Sequence, residues 1–478
     1  MEYLPPILAL IFIVVVARLL LKKIYPHAVL LFAGLIMIVL AKLLGQPLPG
    51  VQESTGWGGF DLFVYIKESF SKTNAGVGLM IMAIGGFVAY IDKIGASNSL
   101  VYLAMKPLSL LKKYPYATAA AVIPIGQLLF VCIPSAAGLG LLLMASVFPI
   151  LIGLGVSRLS AVSVITACTA FGIGPASAIT ARATTIAQED SIVYFLDHQL
   201  PLMIPLCLVV TISYYFVNRY YDRKMEIGDR GPEIENHKSQ QPIAEQNTSD
   251  SDHHSPVSRG INKLNAPLYY AIIPLLPLIL LIVFSEVFDL LPFPVTLNTT
   301  TAMFISLFVA MGFELIRKRN LREVMQSLQI FWNGMGNIFK TVVTLIIAAD
   351  IFSKGLIAMG FIKGLVNSSQ SVGLGGIGIG SVMTVMIFLA SMLMGSGNAS
   401  FFGFAPLIPK IAANFGVNST SMILPMNLAA SMGRTVSPVA GVLIATAEIA
   451  GVSTLQIVKR NLIPLFAALL FLLIYHFI

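Results

Sequence analysis

Apolar runs long enough to cross a bilayer alternate with short polar intervals along almost the whole chain. They fall near 5–21, 26–44, 77–92, 116–133, 135–153, 160–188 and 199–218. After a polar stretch they resume near 267–285, 297–316, 337–358, 376–394, 397–415, 420–447 and 461–478. Since roughly 20 apolar residues span the hydrocarbon core, the pattern predicts an all-α polytopic membrane protein. Small and polar residues interrupt these runs at IPSAAG (133–138), GIGPAS (172–177), GSGN (395–398) and GRTVSP (433–438). The interruptions predict two re-entrant hairpins, about 116–155 and 376–415, and two broken helices, 160–188 and 420–447. About ten transmembrane helices accompany them.

Composition agrees. Hydrophobic residues make up 56% of the 478 and charged residues 11%, whereas soluble domains carry roughly 25% charged residues. Soluble, disordered, collagen-like and disulfide-scaffold classes are thereby excluded. Lys and Arg exceed Asp and Glu by 30 to 22, and no basic run is interleaved with aromatics, so the excess points to cytoplasmic loops and not to nucleic acid. Lys22–Lys23, Lys106, Lys112–Lys113, Arg158, Arg219, Arg317–Arg319, Arg322 and Lys459–Arg460 can share one side. Glu53, Asp61, Glu189, Asp190, Asp197, Glu286 and Asp289 then face the other, with both termini outside. Cys132, Cys168 and Cys207 lie in apolar segments with no CxxC spacing, and read as packing residues. The first apolar run lacks a basic start and a small-residue cleavage site, so it reads as a retained helix.

Residues 219–265 break the pattern. These 47 positions hold 15 of the chain's 52 charged residues, three prolines and the His253–His254 pair. The stretch reads as a cytoplasmic linker that cannot bury a core, dividing a first repeat (1–218) from a second (266–478). The halves resemble each other. Ser135 matches Ser396, Gly155–Val156 matches Gly416–Val417 and Gly172 matches Gly433, all at an offset of 261. Upstream, DKIG ending at Gly95 resembles IAMG ending at Gly360. With an odd number of crossings in each half, the repeats would be inverted, an arrangement transporters use with broken helices.

Interrupted backbone at membrane depth needs protein or water to satisfy its amides and carbonyls. Half-helix amino termini attract anions, and unwound carbonyls hold cations. We therefore expect a substrate site at the hairpin tips and breaks, from Ser135, Ala136, Gly138, Pro175, Ser177, Ser396, Gly397, Asn398, Gly433, Arg434, Thr435 and Ser437. The plainer alternative is that small residues let the helices pack closely. Arg434 stands in an apolar segment with no acidic neighbour, and its fork suits a carboxylate; otherwise it caps the carbonyls of a broken helix. Arg182 lies just beyond the first break, where it could snorkel outward. Gly172 and Asp350 are the candidates for ion coupling, Asp350 alternatively pairing with Lys354 at i+4. No resident cofactor or metal is expected, while H⁺, Na⁺ and exchange are all open as driving forces. HExxH, a P-loop and paired intramembrane carboxylates are missing, which argues against an enzyme and against ATP-driven transport by this chain. No selectivity ring supports a channel.

The segments GSGNASFFGFAPLIPKIA (395–412), GRTVSPVAGVLIA (433–445), PSAAGLGLLLMASVFPIL (134–151) and ARLLLKKIYPHAVLLFAGLIMIVL (17–40) resemble the DcuC family of anaerobic C4-dicarboxylate transporters. The resemblance covers nearly the whole chain except the linker and the first break. There Arg182 stands where the family suggests small or acidic residues. It implies a bacterial inner-membrane secondary carrier for succinate, fumarate, malate or aspartate, by efflux, uptake or exchange. It further implies inverted repeats, often an elevator motion, and a homodimer built through the scaffold. The rival carrier reading keeps this architecture for another carboxylate or an amino-acid conjugate.

Overall fold

The computed structural model of the protein describes residues 4–22, 24–111, 113–228, 266–285, 295–371, 373 and 375–477. Lys23, Lys112, His253–His254, Glu286 and Asp289 lie outside the described residues. The described chain is helical, without a strand. Nine of its helices are long and apolar enough to cross a membrane by length and composition.

Two similar series of elements follow one another. The first runs Leu4–Leu21, Pro26–Leu43, Asp61–Lys93, Ala96–Met105, a helical pair (Pro115–Cys132, then Ala136–Gly153), a broken helix (Arg158–Ala167, Ala178–Ala187) and Ser191–Gly228. The second runs Leu268–Val283, Thr299–Lys318, Leu321–Ala358, Phe361–Ser371, a helical pair (Gly376–Met394, then Gly397–Phe415), a broken helix (Ser419–Thr435, Gly441–Ala450) and Thr454–Phe477. Each long helix is interrupted once: the first kinks within Asn74–Gly78, where Gly76 is non-helical (φ -106°, ψ -113°), and the second carries a π-turn at Phe339–Val343. Gly95 and Gly360 both adopt left-handed φ, 82° and 69°, and start the short helix that follows. Gly155 and Gly416 do the same where each helical pair hands over to its broken helix, with φ 86° and 65°.

Contacts between the halves are reciprocal. Leu4–Leu21 packs on Phe361–Ser371, as Leu268–Leu275 packs on Ala96–Met105. Pro26–Leu43 lies along Thr344–Ala358, as Thr299–Lys318 lies along Leu79–Lys93. Ala136–Ser146 meets Gly441–Ala450, as Gly397–Phe404 meets Ala178–Ala187. Residue sets that exchange partners in this way are what a two-fold relation generates. Glycines permit the tightest crossing: a Cβ on Gly34 would sit 2.6 Å from the Ile351 backbone, and one on Gly355 2.7 Å from the Gly34 carbonyl oxygen. Close backbone approach of this kind substitutes for the hydrophobic drive that is missing between helices in lipid.

Two expectations need correction. The long helices run Asp61–Lys93 and Leu321–Ala358, 33 and 38 residues, not 77–92 and 337–358. Their first turns are amphipathic: Val64 and Tyr65 are buried while Lys67 and Lys72 are exposed, so their mean hydropathy understates them. The terminal helix of the first half continues through Gly228, into the polar stretch read as linker; residues 229–265 lie outside the described part. That continuation has a purpose in packing. Asp222 accepts hydrogen bonds from Ser157 Oγ and Ser160 Oγ, each at 2.8 Å, and pairs with Arg460 Nη1 at 2.6 Å. Both partners are buried, with side chains 3% and 4% exposed. Arg460 is therefore not a free loop charge, as the tally of basic residues took it to be.

Candidate functional site

The two tips are built alike. Ser135 and Ser396 sit in extended backbone and cap the helix that follows. Ser135 Oγ accepts from the Gly138 N–H at 3.1 Å, and Ser396 Oγ from the Ala399 N–H at 3.2 Å. Each cap satisfies one of the orphan amides of a helix start and leaves others available. Asn398, half-buried at the second tip, has an amide with no hydrogen-bond partner among the described residues. Losing a cap costs about 1 kcal/mol. Ser396→Ala should accordingly lower the melting temperature of the purified protein slightly while Ser396→Thr keeps it, read by a thermal-shift assay.

Each tip touches the break of its own half. A Cβ on Gly174 (φ 97°) would lie 2.8 Å from Val131 Cγ1, in the arm leading to the first tip. Pro134 and Pro175 line one small cleft there, beside Phe87 and Pro277. In the second half a Cβ on Gly395 (φ 70°) would lie 2.9 Å from the Val439 carbonyl. One on Gly433 would lie 2.2 Å from the Phe388 carbonyl oxygen, and one on Gly397 2.9 Å from that of Ala430. The breaks also touch each other: a Cβ on Gly172 would lie 2.3 Å from Ser431 Oγ. Tip, break, break and tip thus form one continuous line of close contact.

The breaks are held by side chains that hydropathy alone hides. The Gly172 carbonyl accepts from Ser177 Oγ at 3.1 Å and Thr180 Oγ1 at 3.2 Å. Gln199 Oε1 accepts from the Gly174 N–H at 2.9 Å, and its amide nitrogen donates to Thr180 Oγ1 at 2.9 Å and Asn427 Oδ1 at 3.5 Å. In the other half Asn461 Nδ2 donates to Thr166 Oγ1 and to the Thr435 carbonyl, both at 3.0 Å. The last helix of each half thus reaches the upstream arm of the other half's broken helix with a fully buried amide. A lone Gln or Asn inside an apolar run is the signal that could have found both. Gly172 and Gly433, matched by sequence, differ in role. Gly172 lies within a ten-residue break (168–177), while Gly433 is still helical, because Ser419–Thr435 continues where Arg158–Ala167 has ended.

The expected site residues separate into two adjoining groups. Gly172, Ser177, Gly397, Gly433, Arg434, Thr435 and Ser437 gather where the breaks and the second tip meet. Ser135, Ala136, Gly138 and Pro175 lie at the first tip, where Asp92, not foreseen, is the nearest carboxylate. Its Oδ2 is 3.9 Å from where a Gly138 Cβ would stand, and Ser97 Oγ donates to its Oδ1. Thr435 donates to the Ser431 carbonyl at 3.0 Å, and Ser437 Oγ accepts from the Val439 N–H at 3.3 Å. Arg434 is half-buried. Its Nη2 donates to the Thr169 carbonyl in the opposite half's break, and its buried Nε has no partner among the described residues. The guanidinium therefore crosses the junction of the halves with a donor to spare.

Asp350 and Arg182 depart from expectation. Asp350 pairs not with Lys354 but with Arg182 Nη2. Lys354 instead donates to Ser69 Oγ at 3.0 Å and lies over the Tyr65 ring. Arg182 does not snorkel outward, since it is only 8% exposed. The three cysteines carry free thiols. Among the described residues no group of three or more His, Cys, Asp or Glu could hold a metal ion.

Comparison with known proteins adds identity to this geometry. A family model described as C4-dicarboxylate anaerobic carrier, DcuC, matches residues 4–478. A probable anaerobic C4-dicarboxylate transporter DcuC of Vibrio cholerae is 34% identical over 451 residues, covering 94% of this chain and 92% of its own. The anaerobic C4-dicarboxylate transporter DcuC of Escherichia coli K12 is 31% identical over 469 residues, covering 98% and 95%. Among solved structures, the YdaH transporter of Alcanivorax borkumensis superposes with a TM-score of 0.60 at 12% identity, over 95% of this chain and 98% of that one. MtrF of Neisseria gonorrhoeae, from a class of antimetabolite efflux pumps, gives 0.53 at 14% identity over 95% of each. At these identities the solved structures establish the fold alone.

Proposed function

Because this chain belongs to the DcuC family of C4-dicarboxylate anaerobic carriers, and is thus a multi-pass transporter and not an enzyme, we propose that it carries succinate, fumarate, malate or aspartate across the bacterial inner membrane. The observation that carries this reading is the junction of the two breaks and the second tip around Arg434. A carboxylate is the ligand that a half-buried, under-used guanidinium recognises best. Half-helix amino termini capped by Ser135 and Ser396 add amides suited to the same charge. Ser396, Gly397, Asn398, Gly433, Arg434, Thr435 and Ser437 receive one carboxylate. Ser135, Ala136, Gly138, Pro175 and Ser177 complete the pocket, with H⁺ and Na⁺ the candidate coupling ions beside the Gly172 break.

Reciprocal packing of the halves supports inverted repeats and an elevator motion, in which hairpins and broken helices move as one unit against the remaining helices. The lipid bilayer and a second copy of the chain, docked through the scaffold, are the expected partners. The test is counterflow of labelled succinate into proteoliposomes preloaded with unlabelled fumarate. Transient accumulation that vanishes without internal fumarate is expected. Its failure with inserted, folded protein would transfer the reading to another carboxylate, and conductance without counterflow would make the protein a channel.

A further inference from the structure

Among the described residues two arginine–carboxylate pairs lie inside the helix packing, one fully buried and one partly so, and they are built differently. Around Arg460 and Asp222 the serines fill the remaining positions, and both side chains are almost wholly enclosed. The pair is closed. Arg182 and Asp350 make a single contact, with side chains 10% and 21% exposed. Arg182 Nε is buried with no partner among the described residues, and the Lys354 ammonium donates its hydrogen bond to Ser69. This pair also joins two different helices. Arg182 rides on Ala178–Ala187, the downstream arm of the first broken helix, which packs on the second tip's helix. Asp350 belongs to Thr344–Ala358, part of a long helix outside the hairpins and breaks, which packs on Pro26–Leu43 and on the same tip helix.

We propose that Arg182 is a second carboxylate-binding position, held in this state by Asp350, and that a substrate carboxylate replaces Asp350 there and frees the broken helix from the long one. The proposal rests on the dicarboxylate reading above and on the hairpins and breaks moving together. Its physical core is charge balance. Withdrawing Asp350 alone would strand a buried guanidinium, which is strongly unfavourable. Withdrawing it as another carboxylate arrives exchanges anion for anion and leaves the arginine paired throughout. Asp350 shows by its own placement that a carboxylate fits this guanidinium, and the idle Nε offers the incoming one a second donor. The empty carrier is thus parked in one orientation, and substrate releases it.

Two variants test this in proteoliposomes. Asp350→Asn removes the internal competitor, so the KM for succinate should fall by about fivefold or more, the lower end of ordinary coupling between sites. An unchanged or raised KM overturns the proposal. The exchange Arg182→Asp with Asp350→Arg keeps an ion pair between the same helices and with it the fold, but removes the cation from the broken helix. It should lose transport by tenfold or more at an unaltered melting temperature. Transport with the original KM would make the pair a mere tie between helices and likewise overturn the proposal. Counterflow by the unaltered protein is measured alongside. Its absence faults the dicarboxylate reading, whereas counterflow present with either overturning result faults this proposal alone.

Discussion

Replacing Arg434 by alanine should abolish carrier-mediated counterflow while the protein still inserts and folds. Hydrogen bonds to a charged group contribute about 1.5–3 kcal/mol each. A carboxylate that engages the fork twice therefore loses enough to reduce kcat/KM by roughly 100- to 10,000-fold. The fold loses little, because among the described residues the Arg434 side chain makes one hydrogen bond, to the Thr169 carbonyl, and its Nε is idle. Lysine cannot restore the function, since a point charge does not reproduce a planar fork. The measurement is counterflow rate per inserted carrier, paired with the elution profile in detergent. Counterflow undiminished in Arg434→Ala would remove this residue from the site and leave it as a cap on the opposite break.

Arg460→Met is expected to do the reverse, removing stability before transport. It leaves Asp222 buried at 4% side-chain exposure with only Ser157 and Ser160 to hold it. Breaking a buried pair from one side costs about 3–5 kcal/mol, while replacing both partners by apolar residues of similar volume is often neutral. The double variant Arg460→Met with Asp222→Leu should consequently recover most of the melting temperature that Arg460→Met loses. Equal losses in single and double variants would show that the serines, and not the ion pair, hold these helices together.

Much of the fold was legible because its punctuation is local. Ser135 and Ser396 announce helix starts by residue type, and Gly95, Gly360, Gly155 and Gly416 mark turns that only a residue without Cβ adopts easily. The tips and breaks were legible for the same reason: clusters of Gly, Pro and Ser interrupt a helix locally. What escaped was non-local or averaged away. Arg182 and Asp350 are 168 positions apart, and nothing in either segment names the other. Asp222 and Arg460 stand beside other charges near helix ends, where basic and acidic residues are normally solvated. Gln199 and Asn461 are single amides in long apolar runs, too dilute to change hydropathy. The amphipathic first turns of the long helices fell below the threshold that finds a membrane crossing.

The π-turn at Phe339–Val343 bears on how such a protein can change over generations. A π-turn holds one residue more than the regular helix requires. Deleting a residue there, or adding one, turns everything downstream by about 100°, the angle between successive residues. In the second long helix Asp350 lies only seven positions beyond the turn, so a one-codon deletion would swing it away from Arg182 without altering any side chain. The second half therefore carries a place where reading-frame-preserving insertions and deletions act as rotations, letting a lineage redirect a whole helix face in one step.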